Sequence, residues 1–330
     1  MGRDGCGAPG ADTNRIQIAW PRGMPEPAIL VIKLGALGNV VLSMGAFAAI
    51  RAHHADARIT LLTTARYSDW LAQSPWFDEV LVDKRPEWWN IPGVYRLREM
   101  LTRPGFTRVY DLQTSGRSSH YFRLLPRNAK PEWSGIATGC SHPDRQPDRD
   151  RMHDIDRQVG QLRQAGILTV PHADLSWCRG DIGRFGLPRD FAVLVPGSSP
   201  HRPAKRWPAA RYQALAQTLR ARGLTPVVVG SAAETAIARG IPAALDLTGQ
   251  TSFGDLADLG CSARFAVGND TGPMHLLATA GCPALVLFSN DSDPARCAPR
   301  GRDVRVLRRP DLGSLEVDAV LAGLPLSVTA

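Results

Sequence analysis

The stretch Phe265-Ala-Val-Gly-Asn-Asp-Thr-Gly-Pro-Met-His275 decides the fold of this chain. Its apolar start predicts a short buried strand, and Gly268-Asn-Asp270 is typical of a turn. Thr271 suits a helix N-cap, and the proline that follows loses no hydrogen bond in the first helical turn. Such a junction directs backbone N–H groups and a helix dipole at one point, where a phosphate can bind. An ordinary capped junction without a ligand has the same local pattern, so the rest of the chain must decide between them.

Strands and helices alternate along both halves of the chain. In the first half, the apolar run 28–32 precedes a glycine loop and a helix predicted over 40–53. In the second half, the apolar run 191–195 precedes a loop rich in small residues and a helix predicted over 209–222. This alternation is typical of α/β proteins with parallel sheets. We therefore predict two Rossmann-like, doubly wound domains that face each other across a cleft.

Composition divides the chain further. Residues 1–27 are rich in Gly, Pro, Asp and Arg and lack the apolar core of a signal peptide, so we expect a disordered N-terminal extension. The N-terminal domain is predicted over 28–180 and the C-terminal domain over 181–330, with the boundary near the prolines between 170 and 189. The alternation stops over 126–152, where we predict a long surface loop.

Bulk properties exclude several classes of function. The chain has 330 residues, a net charge of +8 and a pI of about 9.5, which favours acidic partners such as nucleotide phosphates or anionic lipid headgroups. Its arginines are scattered, and no zinc-finger or RNA-binding signature occurs, so we expect no nucleic-acid partner. Its six cysteines lack metal-binding spacing, which indicates reduced thiols in a cytoplasmic protein. No apolar stretch is long enough to span a bilayer, so any membrane contact would be peripheral.

Polar residues of the first half fall where predicted strands end. Ligands of doubly wound sheets bind beyond the carboxyl ends of the strands. The residues at such positions are Asn39, Asp111, Gln113, Ser115 and Arg117. Asp111 and Arg117 equally suit a solvated loop pair, and Asn39 equally suits a helix N-cap.

Three features of the second half would meet at strand ends. Thr271-Gly272 offers helix N–H groups, Lys205 offers a cation on a loop, and Glu234 begins a helix. Together they suit a nucleotide diphosphate, with the carboxylate on a ribose or base. Taken singly, Lys205 is typical of a solvated charge and Glu234 of a first-turn residue that compensates the helix dipole.

Three motifs carry a resemblance to a known family. They are Ile32-Lys-Leu-Gly-Ala-Leu-Gly-Asn39, Pro196-Gly-Ser-Ser199 with Lys205-Arg-Trp-Pro208, and Gly268-Asn-Asp-Thr-Gly-Pro-Met-His275. From about residue 28 to 324 the chain resembles glycosyltransferase family 9, the lipopolysaccharide heptosyltransferase family. The D-T-G-P-x-H element combined with the K-x-W-P loop is specific, whereas the glycine loop alone is not.

The resemblance implies a GT-B fold and an inverting, metal-independent transfer of heptose. The donor would be an ADP-sugar co-substrate with no other cofactor, and the acceptor a lipid-linked inner-core saccharide. Such an acceptor allows peripheral contact with the inner membrane face. The resemblance implies that the donor is bound by Ser198, Ser199, Lys205, Glu234, Asp270, Thr271, Gly272 and His275. The residues assigned to the acceptor are Gly38, Gln113, Ser115 and Arg117.

One position departs from the family pattern. The family has an aspartate after the glycine turn that acts as general base on the acceptor hydroxyl, and this chain has Asn39. An amide cannot take a proton at neutral pH, although it can hold a hydroxyl by hydrogen bonding. Three explanations of this departure are open. The activity is weak, Asp111 substitutes as the base, or the chain is a nucleotide-sugar-binding relative with impaired catalysis.

Two other functions are weighed against this one. Asp291-Ser-Asp293 matches a D-x-D metal motif, but it follows a strand and leads into a proline, so we interpret it as a turn and expect no metal. The doubly wound pattern also suits a nicotinamide oxidoreductase. The glycine loop lacks the third glycine of a dinucleotide fingerprint, and no acidic residue ends the second strand, which disfavours this alternative.

Overall fold

The computed structural model describes residues 27–128, 130–198 and 201–325. Internal contacts divide the described chain into two compact units between Ala173 and Asp174, inside the proline-flanked segment 170–189. The expected disordered extension lies, apart from residue 27, outside the described residues.

The first unit contains one six-stranded sheet and six α-helices. The strands are β1 (Ala28–Ile32), β2 (Arg58–Thr63), β3 (Glu79–Val82), β4 (Arg108–Asp111), β5 (Glu132–Gly135) and β6 (His142–Pro143). The helices are α1 (Leu37–Val41), α2 (Met44–His53), α3 (Ala65–Leu71), α4 (Ile91–Thr102), α5 (Gly116–Leu124) and α6 (Asp154–Gln164).

The strand order of the first sheet is β3-β2-β1-β4-β5-β6, and all neighbouring strands are parallel. This is the doubly wound order, in which the chain reverses its direction of progress between β1 and β4. Ile32 at the end of β1 pairs with Leu62 on one side and Asp111 on the other. The residues that follow β1 and β4 therefore emerge side by side at the switch point.

The central strand of this sheet is apolar because both of its faces are covered. Leu30 and Ile32 pack into a core with Tyr121, Phe122 and Trp133, all of them buried. Rings of Phe122 and Trp133 lie 5.3 Å apart, so α5 is fixed against β5 through aromatic contact.

Two sequence predictions for the first unit are wrong. The helix expected over 40–53 begins earlier, at Leu37, and is interrupted at Leu42-Ser43, so Asn39 lies inside the first turn of α1, whose N-cap is Ala36. The segment 126–152, expected to be a loop, contributes β5 and β6. Both strands are short and carry few apolar residues, so the periodicity signal is weak, although three of the four residues of β5 are buried.

The second unit repeats the architecture. Its strands are β7 (Phe191–Val195), β8 (Thr225–Val228), β9 (Leu245–Asp246), β10 (Ala266–Asn269), β11 (Ala284–Phe288) and β12 (Val304–Arg308). Its α-helices are α7 (Ala209–Ala221), α8 (Thr235–Ala238), α9 (Phe253–Ser262), α10 (Gly272–Thr279), α11 (Pro294–Cys297) and α12 (Val317–Gly323). Single 3₁₀ turns occur at Gly183–Phe185, Pro203–Lys205, Ala232–Glu234 and Leu312–Ser314.

The order of the second sheet is β12-β11-β10-β7-β8-β9, again entirely parallel. Read from β7, this is the same doubly wound order, with the switch point between β7 and β10. The core contains Trp207 and Tyr212, whose rings meet edge to face at 4.8 Å. The edge strand β12 escaped the sequence analysis because its arginines interrupt the apolar pattern. The predicted fold class, two doubly wound parallel sheets, is confirmed.

Two general features complete the description. No helix within residues 27–128, 130–198 and 201–325 is long and apolar enough to cross a bilayer. No disulfide joins any two of the described cysteines, which are Cys140, Cys178, Cys261, Cys282 and Cys297.

Candidate active site

The switch point of the second sheet is organised by Asn269. This side chain ends β10 and is completely buried. Its Oδ1 accepts hydrogen bonds from Trp207 N and Tyr212 Oη, each at 3.1 Å, and its Nδ2 donates to Pro196 O at 2.7 Å. One amide thereby joins the loop after β7, the K-x-W-P loop and the start of the β10–α10 junction. These three segments meet because Asn269 satisfies their buried backbone groups.

Lys205 and Asp270 form an ion pair beside this junction. Lys205 Nζ lies 2.5 Å from Asp270 Oδ2, and the two side chains are 11% and 8% exposed. Ser292 Oγ donates to the same carboxylate oxygen at 2.7 Å. A nearly buried pair is held in one geometry, so the ammonium is fixed near the start of α10 instead of moving on a solvated loop.

The start of α10 has the predicted form, but the turn predicted over Gly268-Asn-Asp270 is wrong for its first two residues, which belong to β10 because they pair with β11. Thr271 is its N-cap with extended backbone, and Gly272 is the first helical residue, followed by Pro273. N–H groups of a first helical turn lack partners within the helix, so they face outward together with the positive end of the dipole. His275 lies one turn later and is buried. Lys205, which is paired with Asp270, and the positively polarised N–H groups at the start of α10 thus meet in one corner at the carboxyl end of β10.

Glu234 lies beside the loop after β7, where its carboxylate packs against Gly197. Its Oε2 accepts from Ser231 N at 2.6 Å and from Ser231 Oγ at 3.0 Å, which makes a capping box at the Ala232–Glu234 turn. A methyl group on Gly197 would lie 1.6 Å from Glu234 Oε1. The carboxylate therefore occupies the space that a side chain at position 197 would need. The capping box agrees with the first-turn role considered for Glu234, whereas its contact with a ribose or base stays a prediction.

The loop after β7 places Ser198 next to the corner. Ser198 is buried, and Arg206 donates from Nε to its Oγ at 3.3 Å and from Nη2 to its carbonyl at 3.2 Å. Ser199 lies outside the described residues. Asp293, of the D-x-D sequence, caps α11 by accepting from Ala295 N at 3.1 Å, which is a turn geometry.

The switch point of the first sheet contains a pocket of about 790 Å³. Asn39 and Gln113 both line it. Gln113 Oε1 accepts from Leu34 N at 2.9 Å, which fixes the side chain across the gap between β1 and β4. Asn39 is half-buried on α1, and its carbonyl accepts from Ser43 Oγ at 2.7 Å. The structure thus brings together two of the residues predicted at strand ends.

Asp111 is placed differently. It is completely buried and does not line the pocket; its Oδ1 accepts from Gln113 N at 3.1 Å and Thr114 N at 3.0 Å. Burial raises the pKa of Asp111 to about 6, and burial lowers the pKa of the neighbouring Lys33 to about 8. Lys33 Nζ donates to Leu112 O at 2.9 Å. Both charges shape the turn that presents Gln113, and neither faces the pocket that holds Asn39.

The remaining residues predicted for the acceptor lie outside the pocket lining. Gly38 is buried within α1, and Ser115 is the N-cap of α5, where it forms a capping box with Ser118. Arg117 donates to Tyr121 Oη at 2.8 Å and to Pro86 O at 2.9 Å. These contacts give Ser115 and Arg117 structural roles next to the pocket wall.

Comparison with known proteins decides the family. The sequence model described as glycosyltransferase family 9 (heptosyltransferase) matches residues 94–318.

The chain belongs to glycosyltransferase family 9.

One curated relative and two solved structures are similar to this chain over most of their length. Lipopolysaccharide heptosyltransferase 2 of Salmonella typhimurium is 26% identical over 311 residues, 85% of this chain and 87% of that protein. The structure of Escherichia coli ADP-heptose lipopolysaccharide heptosyltransferase II has a TM-score of 0.72 at 21% identity and covers 90% of this chain and 97% of its own. Escherichia coli heptosyltransferase WaaC with ADP has a TM-score of 0.69 at 20% identity, with 89% and 98% covered. The predicted GT-B-type fold is confirmed.

This family 9 chain has pocket residues that the sequence analysis missed. They are basic: Arg66, Lys84 and Arg85 line the pocket together with Asn39 and Gln113. Arg66 follows β2, and Lys84-Arg85 follows β3, so the rule that ligands bind beyond the carboxyl ends of strands pointed to them. Asp83 Oδ1 accepts from Arg85 N at 2.7 Å and holds Arg85 at φ 50°, a left-handed conformation uncommon outside glycine.

Proposed function

We propose that this chain is an inverting, metal-independent glycosyltransferase that transfers heptose from ADP-heptose to a lipopolysaccharide inner-core acceptor. Membership of the heptosyltransferase family supports this class of reaction. The relatives are named for lipopolysaccharide heptosyl transfer, and the WaaC structure contains ADP. The finer assignment depends on the chemistry of the two sites.

The positive corner at α10 is the single observation that carries the donor assignment. Breaking the bond between a sugar and a diphosphate leaves an anion and develops positive charge on the anomeric carbon. Lys205 and the N–H groups at Gly272 are already oriented, so they stabilise that anion without rearranging. In this proposal the Lys205 ammonium, although paired with Asp270, and the helix N–H groups take the place of a metal ion at the leaving group. This is the physical basis for a metal-independent reaction.

The other donor residues have distinct proposed roles. Asp270 holds the Lys205 ammonium in place and, with Thr271 and His275, lies where the sugar and its phosphate would bind. Glu234 lies beside the Gly197 backbone, so its carboxylate is placed to accept from the ribose hydroxyls of an adenosine. Ser198 and Ser199 belong to the loop that would enclose the phosphates.

The pocket that contains Asn39 is the proposed acceptor site. Asn39 can hold an acceptor hydroxyl as a hydrogen-bond partner, but its amide does not take the proton. Gln113 would orient the same saccharide. The cationic side chains of Arg66, Lys84 and Arg85 suit a saccharide that carries acidic groups. No described carboxylate other than Asp83 lines this pocket, and Asp83 Oδ1 already accepts from a backbone N–H.

Titration calorimetry with ADP tests the donor assignment. Lys205→Ala removes a charge-assisted contact with a phosphate, so we expect about 10- to 100-fold weaker binding. Arg222→Ala removes the same charge at the far end of α7 and should bind ADP like the parent. Absence of ADP binding in the parent protein would remove the donor assignment altogether.

Asn39 favours a second candidate function, a nucleotide-sugar-binding relative with impaired catalysis. Transfer to a lipid-free core saccharide separates the two. Asn39→Asp restores a carboxylate that can act as general base, and we expect turnover to rise by about 10²- to 10⁴-fold. If the parent is active and Asn39→Asp is neutral, the proton leaves by another route. If neither protein turns over while both bind ADP-heptose, the binding relative is the better description.

A further inference from the structure

An exposed apolar surface lies next to the pocket in the first unit. Four large side chains form this aromatic patch, which we define as Trp88, Trp89, Ile91 and Tyr95; they are 40%, 79%, 76% and 64% exposed. Single exposed apolar residues are common on proteins, but four within eight consecutive positions are not. Such a surface indicates a partner.

The patch stands on a rigid base. The Arg117 guanidinium lies 5.1 Å from the centre of the Trp88 ring, and the same ring packs 5.3 Å from that of His120. The Asn90 side chain caps α4 by accepting from Gly93 N at 3.1 Å. The opposite face of α4 is buried through Leu97 and Leu101. The ring of Trp88 is therefore held by its neighbours, and Ile91 and Tyr95 stand on a helix that is packed against the core.

Positive charge surrounds the patch. Residues 84–103 contain five basic side chains, Lys84, Arg85, Arg96, Arg98 and Arg103, and two acidic ones, Glu87 and Glu99. All seven are exposed, and Arg103 is paired with Glu99 at 3.5 Å. Tryptophan and tyrosine prefer the boundary between lipid and water, and basic residues beside them are attracted to anionic headgroups. The combination matches the surface of an anionic bilayer.

The patch is continuous with the pocket along the chain. Lys84 and Arg85 line the pocket, and Trp89 follows Arg85 by four positions. A chain of that length spans at most about 14 Å. A bilayer that contacts Trp89 would therefore lie close to the mouth of the pocket that contains Asn39.

We propose that the aromatic patch docks this protein on the surface of an anionic phospholipid bilayer. Trp89, Ile91 and Tyr95 enter the headgroup region, while the flanking Arg96 and Arg98 contact lipid phosphates. The choice of a bilayer over another partner rests on the proposed function, because a lipid-linked acceptor leaves its anchor in the membrane. Docking at this place presents the saccharide of that acceptor to the pocket without extracting the lipid.

Vesicle sedimentation tests the docking. The full chain is mixed with vesicles of phosphatidylethanolamine and phosphatidylglycerol, or of phosphatidylcholine alone. We expect binding to the anionic vesicles that salt weakens, and Trp89→Ser/Ile91→Ser should lower the partition coefficient by about tenfold or more. Arg96→Gln should lower it by about fivefold on anionic vesicles only. The matched control is Leu168→Ser, whose leucine is 74% exposed elsewhere in the same unit and which should bind like the parent.

Three outcomes would overturn the proposal. They are no binding of the parent to anionic vesicles, equal binding of the Trp89→Ser/Ile91→Ser variant, or a dimer in sedimentation velocity that this variant dissociates while vesicles are not bound. Transfer to a lipid-free core saccharide is measured in parallel. The double variant should retain that activity, so loss of vesicle binding with intact transfer supports docking through the patch. An inactive parent that still binds vesicles contradicts the proposed function alone.

Discussion

Removing the Lys205 ammonium should destabilise the second unit strongly, and the structure indicates why. Asp270 would keep its carboxylate in a place where its side chain is 8% exposed, with the Ser292 hydroxyl at 2.7 Å as its remaining described partner. A buried charge without its partner costs far more free energy than the replacement of both charged partners by uncharged residues. The perturbation is therefore Lys205→Ala, and its direct consequence is an uncompensated carboxylate beside α10.

The magnitude follows from the burial of the pair. Breaking a buried ion pair from one side costs about 3–5 kcal/mol. The Lys205 side chain retains 11% exposure, so water can partly replace it, and we expect a loss of about 3 kcal/mol. For a unit of this size, that loss lowers the melting temperature by roughly 10 °C.

Urea unfolding combined with hydrogen exchange measures this loss and locates it. Faster exchange should appear in peptides of β10 and α10 and not in those of β1. Lys205→Ala/Asp270→Asn has no charge left to bury and should recover about half of the lost stability. The control Arg222→Ala removes an exposed charge and should change stability by less than about 0.5 kcal/mol.

A small effect would refute the reasoning. If Lys205→Ala lowers the free energy of unfolding by less than about 1 kcal/mol, the ammonium is solvated and is not fixed at the start of α10. If Asp270→Asn fails to rescue it, the loss arises from packing of the lysine stem and not from the unpaired charge. Either result would also weaken the argument that a preorganised cation stabilises the leaving diphosphate.

Three further predictions concern individual contacts. Gly197→Ala should displace the Glu234 carboxylate from its capping box and lower the free energy of unfolding by about 1 kcal/mol, but it should lower it no further in a Glu234→Ala background. Additive losses in a double-variant cycle of urea unfolding would contradict this. Asp111→Asn tests the buried carboxyl, whose pKa is raised to about 6, so the folded state holds the proton more tightly than the unfolded state. This group therefore lowers the free energy of unfolding of the parent by up to about 3 kcal/mol as the pH rises from 4 to 7. Urea unfolding at both pH values should show that this pH dependence disappears in the variant. Asn269→Ala leaves the buried Trp207 N–H and Pro196 carbonyl without their partner, so we expect a loss of about 3 kcal/mol together with weaker ADP binding by calorimetry, and unchanged ADP affinity would separate this amide from the donor site.

Much of the fold followed from local patterns. The strands Ala28–Ile32 and Phe191–Val195 have the bounds predicted from the sequence, because strands covered on both faces are unbroken apolar runs. The strand β5 and the edge strands β6 and β12 were missed because their pairing comes from distant neighbours and not from their own composition. The break between α1 and α2 was missed as well, since apolar spacing continues through Leu42-Ser43.

The sequence by itself determined the motifs, their order and the sheet edge at which they would emerge. A strand that ends in Gly268-Asn-Asp270 before a capped helix specifies its own geometry, because turn and cap preferences act between near neighbours in the chain. The resemblance to the family followed from the same local sequence motifs.

Only the tertiary structure decided which side chains line the pocket of the first unit. Asp111 and Gln113 are two positions apart at the end of one strand, yet the first is buried and the second lines the pocket. Arg66 and Lys84 line that pocket because β2 and β3 are neighbours in the sheet, although 18 positions separate these residues in the sequence. Burial and partners are set by the residues that pack on a side chain from elsewhere in the chain, and a local pattern carries no information about them.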